Sequence, residues 1–266
     1  MSEPIALWTT AAPAPGHAPA LRARRFEYSS RGDRVPGLLL VPADGNGPFP
    51  LVLLQHGAGG SKHAEYLDAA RLPWVQRGVA VASIDFPLHG ERASAKLTEQ
   101  FLGVTVASVR AAHPDMMALW SEFSRQAVID LGRALDALAA FPELDAGRVA
   151  YAGFSLGAII GALYCPTDAR LCAAALALGG AGIGPPDFDP AARIGDFAPR
   201  PLLFVNATRD ERIPRAAAEA LHAAARDPKE VAWFDCGHND LPGAGFKAMW
   251  TFLAKHLGLQ AERAAT

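Results

Sequence analysis

Gly153-Phe154-Ser155-Leu156-Gly157 constrains this chain more than any other stretch, because it joins an apolar run, Arg148 to Gly153, to a helical segment, Leu156 to Tyr164. A sharp turn at such a junction holds a serine hydroxyl clear of a sheet. Small flanking residues are needed because strand and helix pack too closely there to admit side chains. The rest of the chain repeats the alternation. Strands are expected at Leu51 to Gln55, Val79 to Ile84, Leu171 to Leu178, Leu202 to Asn206 and Glu230 to Phe234, and helices at Lys62 to Arg77, Ser121 to Ala140, Pro214 to Ala225 and Phe246 to Leu257. Within Ser121 to Ala140, Phe123, Ala127, Leu131, Ala134, Leu135 and Leu138 recur at helical spacing. This order predicts an α/β fold, a mostly parallel twisted sheet of about eight strands flanked by helices. Phe26 to Ser30 and Val35 to Val41, joined by the Arg31-Gly32-Asp33 turn, read as an antiparallel edge.

Composition narrows the function. Half of the 266 residues are apolar, which is enough to form a core and argues against disorder. With 25 Lys+Arg against 27 Asp+Glu, the net charge of −2 gives no electrostatic reason to expect a nucleic-acid or membrane partner. Cys165, Cys172 and Cys236 fit neither a disulfide framework nor a zinc spacing, so no metal is expected and a reducing, cytoplasmic setting is. The uncharged stretch Val149 to Thr167 reaches membrane-helix length, but Gly153, Ser155, Gly157 and Gly161 interrupt it and its start reads as a strand. Residues 1–22, rich in Ala and Pro, read as an exposed lead-in to a single domain over 23–266. Residues 93–120 lack clean periodicity and read as a small cap or lid.

A serine hydroxyl is a poor nucleophile unless a base takes its proton and a third group orients that base. Asp210 follows the strand Leu202 to Asn206 and precedes Pro214, which places it in a loop at a strand's carboxyl end, where ligand sites of open α/β sheets form. Glu211 is its nearest rival. His238 follows the strand Glu230 to Phe234, and Gly237 beside it lets that loop fold back toward the serine. Two oxyanion donors are expected: the Leu156 N–H, next after the serine, and an N–H of the His56-Gly57-Ala58-Gly59-Gly60-Ser61 loop, Ala58 first and Gly59 next. His56 itself reads as a brace for this loop. Phe101, Met116, Met117 and Trp120 are candidates for an apolar substrate pocket, with simple core as the equal alternative; Arg92 is a candidate for receiving an anionic group, with a loop-bracing salt link to Glu91 or Asp85 as the favoured reading.

Taken together, the loop at His56 to Gly60, the stretch Asp85 to Arg92, the elbow at Ser155, Asp210 before Ile213-Pro214, and Gly237-His238 resemble the α/β-hydrolases. The resemblance covers roughly residues 24–258 and points to the branch of dienelactone hydrolase-like proteins and prolyl-oligopeptidase-like esterases. It implies the α/β-hydrolase fold, a triad of Ser155, Asp210 and His238, and hydrolysis of a small-molecule ester through an acyl-enzyme without metal or organic cofactor. Serine as nucleophile disfavours dehalogenation and lactone hydrolysis, whose enzymes often carry Asp or Cys there. A thioesterase or amidase would use the same residues. A non-catalytic binding protein on this fold is the rival of a different class.

Overall fold

The computed structural model describes residues 5–13, 21–45, 47–103 and 114–259. Nine strands form one mixed sheet: β1 (Leu7–Ala12), β2 (Leu21–Ser30), β3 (Asp33–Pro42), β4 (Phe49–Gln55), β5 (Ala80–Ile84), β6 (Leu144–Phe154), β7 (Leu171–Ala177), β8 (Leu202–Ala207) and β9 (Lys229–Phe234). Their spatial order is β1-β2-β3-β5-β4-β6-β7-β8-β9. The first three strands and β5 pair antiparallel, and the run from β5 through β4 to β9 is parallel. The hairpin between β2 and β3 turns on Arg31 and Gly32 alone, with φ of 48° and 85°, so Asp33 already belongs to the strand. Two central residues at positive φ give the twist that suits a tight hairpin.

Strand composition explains the two-sided burial. Along β4, Leu51 and Leu53 enter one apolar cluster while Val52 and Leu54 enter the other, as a period of two requires. Helices α3 (Pro114–Leu138), α4 (Leu156–Tyr164) and α5 (Arg215–Ala224) bury their apolar stripes in the first cluster. Helices α1 (Asp68–Gln76) and α6 (Gly243–His256) bury theirs in the second. The end of α1 is set by Gly78 at φ 89°, whose N–H bonds Val75 O at 3.0 Å while Val79 N–H bonds Trp74 O at 3.2 Å. This pair of bonds is the Schellman arrangement, which satisfies two carbonyls that the helix end would strand.

Several boundaries differ from the sequence reading. Within the expected lead-in, Leu7–Ala12 is a largely exposed edge strand on β2, and it brings the sheet to nine strands. Its side chains carry no apolar alternation, so periodicity offered nothing to detect. Inside the expected cap, Ala95–Leu102 forms helix α2 and α3 begins at Pro114; residues 104–113 lie outside the described residues. Proline at the first helical position followed by Asp115 is a favourable helix start. Helix α1 starts six residues later than expected, after a single 3₁₀ turn at Glu65–Leu67. Among the described residues no helix is long and apolar enough to cross a membrane.

Candidate active site

Strand β4 leads to β5 on one side and neighbours β6 on the other, so the loops after β4 and β6 flank a topological switch at the strands' carboxyl ends. Gln55 pairs with Gly153, which sets His56-Gly57 beside Ser155. Ser155 has φ 53° and ψ −112°, an uncommon conformation for a residue with a side chain. It is held by its own N–H to Ala177 O at 2.8 Å and by the N–H groups of Ala158 and Ile159 donating to its carbonyl. The flanking glycines are steric necessities. A Cβ on Gly153 would lie 2.4 Å from Gly157 O, and one on Gly157 would lie 2.8 Å from Gln55 O.

The three residues singled out for catalysis converge. Ser155 Oγ lies 2.8 Å from His238 Nε2, and His238 Nδ1 lies 2.9 and 2.8 Å from the two oxygens of Asp210. Asp210 also accepts the N–H groups of Arg212 at 2.9 Å and Ile213 at 2.8 Å, which fixes its carboxylate just before α5. Burial opposes its ionisation, but the bonds from His238 and those two amides outweigh burial and hold its carboxyl below the usual value. An ionised Asp210 places the imidazole proton on Nδ1, leaving the Nε2 lone pair toward the serine hydroxyl. Glu211, the rival acid, bonds the backbone N–H of His238 at 3.0 Å and so positions the loop, not the ring.

On the other side, the loop after β4 is fixed at several points. Gly60 N–H bonds Gly57 O at 3.1 Å, with Gly59 at φ 75° in the third position of the turn, where a type II turn needs positive φ. His56 is fully buried; its Nδ1 bonds Gly57 O at 2.8 Å and its Nε2 accepts the Phe86 N–H at 3.3 Å. Burial lowers its pKa to about 4, so it braces the loop as a neutral ring. Tyr66 Oη accepts the Gly57 N–H at 2.6 Å. Beyond the turn, Lys62 and Asp85, both buried, pair at 2.8 Å, and Asp85 also accepts the N–H groups of Lys62 and Glu91. With Gly57 N–H occupied, the Ala58 N–H has no acceptor among the described residues. The Leu156 N–H, first in α4, has none within its helix.

A cavity of about 340 Å³ opens beside Ser155 and His238. Tyr66, Ala69, Phe154, Leu178, Leu241 and Phe246 form most of its wall, with Ala58, Arg212 and Asn239. Here the sequence reading needs correction: Phe101, Met116, Met117, Trp120 and Arg92 do not line this cavity. Phe101 stacks on Trp120 at 5.4 Å and packs against Phe123 at 4.2 Å, so both aromatic candidates are core, and Met116 and Met117 are half-buried in the first turn of α3. Arg92 is a structural tie, bonding Asp130 at 2.6 Å and Asp33 at 3.1 Å. The residues that replace them were missed because Tyr66, Leu241 and Phe246 lie in stretches read as helix or turn, where no local pattern marks the inward face. Arg212 had a positional signal, two residues beyond Asp210.

Comparison with curated protein sequences returns no match. Among solved structures, a cold-adapted esterase from an Arctic intertidal metagenomic library, bound to polyethylene glycol, superposes with a TM-score of 0.72 at 23% identity, covering 90% of this chain and 96% of that one. An acetyl xylan esterase from Paenibacillus sp. R4 gives 0.76 at 17% identity, covering 96% and 90%. A protein assigned as a dienelactone hydrolase in Klebsiella pneumoniae gives 0.65 at 19% identity, covering 97% and 100%. Identities this low speak for the fold, which is that of the α/β-hydrolases. A sequence-family model described as Esterase FrsA-like matches residues 12–179, the stretch that carries the loop at His56 and the elbow at Ser155. That match spans well over half of the chain, and the protein therefore belongs to the FrsA-like esterase family.

Proposed function

We propose that this protein hydrolyses a carboxylic ester by nucleophilic catalysis through Ser155. The observation that carries the reading is the unbroken relay of 2.8 Å contacts from Ser155 Oγ through the His238 ring to Asp210. Nε2 of His238 takes the hydroxyl proton as Oγ bonds to the ester carbon. Asp210 stabilises the imidazolium so formed and remains ionised throughout. Negative charge on the former carbonyl oxygen is met by the N–H groups of Leu156 and Ala58, donors of a kind worth about 10²–10³ in rate each. When the tetrahedral species collapses, the bond from carbon to the alcohol oxygen breaks and Nε2–H protonates the leaving alcohol. Water then attacks the acyl-Ser155, giving its proton to His238, and the acid departs as Ser155 is reprotonated.

A cytoplasmic location belongs to the same reading and is supported by three free cysteines, Cys165, Cys172 and Cys236. Turnover of p-nitrophenyl butyrate by wild type and by Ser155→Ala tests the proposal. The reading expects a loss of roughly 10⁴-fold or more in kcat/KM, the scale at which a triad member's removal is felt. A variant that retains wild-type turnover contradicts it.

A further inference from the structure

Arg212 and Asn239 are exposed residues on the wall of the cavity beside Ser155, one on the loop that carries Asp210 and the other next to His238. Backbone geometry fixes the first of them, since Arg212 N–H donates to Asp210 Oδ1. Its guanidinium, by contrast, meets no carboxylate and no hydrogen-bond acceptor among the described residues. Three acids of the two loops are engaged elsewhere, and the fourth, Asp240, forms no ion pair with it among the described residues. Asp210 holds the His238 ring, Glu211 accepts the His238 N–H, and Asp235 pairs with Arg209 at 3.0 Å. Most arginines away from the cavity are spent on structure, such as Arg92 on Asp130, Arg170 on Asp168 and Asp136, and Arg226 on Asp196; exposed Arg193 also meets no partner among the described residues, but it does not face the cavity as Arg212 does.

A guanidinium presents five N–H donors in a planar fork that matches a carboxylate edge to edge. Left unpaired on an otherwise largely apolar wall, it favours a ligand bearing negative charge over a neutral one of the same shape. The Asn239 side chain, also without a protein partner among the described residues, adds a neutral N–H donor on the adjoining loop. Because Arg212 is exposed it stays hydrated when the cavity is empty, so keeping it unpaired carries no desolvation cost.

We infer that the ester taken by this site carries a carboxylate near the scissile bond, received by the Arg212 guanidinium with Asn239 beside it. The inference rests on the ester-hydrolase reading and narrows it to a substrate class, anionic esters such as half-esters of dicarboxylic acids or esters of hydroxy acids. An exposed ion pair with charge-assisted hydrogen bonds gives a preference of about five- to tenfold, weakened by salt.

The experiment uses the full-length protein and two matched pairs of esters. One pair places the charge on the acyl side, phenyl hydrogen adipate against its terminal amide. The other places it on the leaving group, 4-acetoxybenzoate against 4-acetoxybenzamide. The quantity read is the ratio of kcat/KM for the charged member to that for the neutral member, in wild type, Arg212→Gln and Arg212→Lys. A common loss of activity cancels in that ratio. The inference expects a wild-type ratio above one in at least one pair, a fall toward one in Arg212→Gln, partial retention in Arg212→Lys, and a decline as salt is raised. Ratios at or below one in both pairs overturn it, as does a ratio that Arg212→Gln leaves unchanged. Cleavage of the ester bond in the two neutral members, and its loss in Ser155→Ala, reports separately on the ester-hydrolase reading. A wild type inert toward all four esters refutes that reading and this inference with it.

Discussion

The hydroxyl of Tyr66 accepts the N–H of Gly57 at 2.6 Å, tying the chain just before α1 to the loop that faces Ser155. A Cβ on Gly57 would lie 3.2 Å from Ser155 Cβ, so movement of this loop is felt directly at the nucleophile. Tyr66→Phe removes one hydrogen bond, worth about 0.5–1.5 kcal/mol, from a loop that must hold the Ala58 N–H in place. The expected outcome is a kcat lowered roughly three- to tenfold with little change in Tm. Steady-state kinetics and thermal melts of the variant check it; an unchanged kcat contradicts the loop's dependence on Tyr66.

Two neighbouring acids are expected to behave very differently. Asp210 bonds the His238 ring, whereas Glu211 bonds only the His238 backbone. Asp210→Asn leaves the shape intact but removes the charge that fixes the ring's tautomer, and kcat should fall by about 10⁴. Glu211→Gln keeps an acceptor for the same N–H, and its kcat/KM should stay within about tenfold of wild type, the worth of one ordinary hydrogen bond. Parallel kinetics on one ester decide between the two acids, and equal losses would remove the distinction.

Acid should destabilise the fold through its buried histidines. Burial lowers both His56 and His222 to about 4, against about 6.5 for a histidine in the unfolded chain. Between those values the unfolded chain binds more protons than the native one, so stability rises with pH across that window. The contribution is fully present above about pH 6.5 and is lost as pH falls toward 4, by up to ~1.4 kcal/mol per pH unit for a fully buried ring such as His56. Urea unfolding at successive pH values should show a midpoint that is level from pH 8 to 7 and declines below about 6.5. A midpoint independent of pH down to 5 would be inconsistent with neutral, buried rings.

Phe101→Ala should act on stability and not on substrate choice. Its ring is 3% exposed, stacks on Trp120 and packs against Phe123, away from the cavity wall. Truncating a buried phenylalanine costs about 3–5 kcal/mol. Denaturation should register that loss, while relative kcat/KM along a series of acyl lengths stays as in wild type. A changed acyl-length preference with unchanged stability would return Phe101 to the substrate pocket.

Local chemistry made much of the fold legible. Leu156–Tyr164 is a helix at the expected boundaries, because the elbow before it and Cys165-Pro166 after it both leave a sequence mark. The strands β4, β5, β7, β8 and β9 lie within two residues of expectation, the first four because buried parallel strands are short apolar runs, whereas β9 is half-exposed. What periodicity could not reveal were elements stabilised by a neighbour alone. Strand β1 exists through its backbone pairing with β2, and the cavity wall is assembled from Tyr66, Phe154, Leu241 and Phe246, far apart in the chain. Convergence of Ser155, Asp210 and His238 was readable from their order after the carboxyl ends of β6, β8 and β9. For Arg92 a bracing role was legible but its ion-pair partners were not, because Asp130 lies 38 residues away on another element.

The central claim, that the Ser155 hydroxyl is the nucleophile, is met most directly by mass spectrometry of the protein after exposure to a fluorophosphonate. The account predicts a single added phosphonyl group, mapped by peptide fragmentation to Ser155, absent in Ser155→Ala and formed far more slowly in His238→Ala. Unmodified Ser155 in a folded sample, or an adduct elsewhere accompanied by loss of ester hydrolysis, would contradict it.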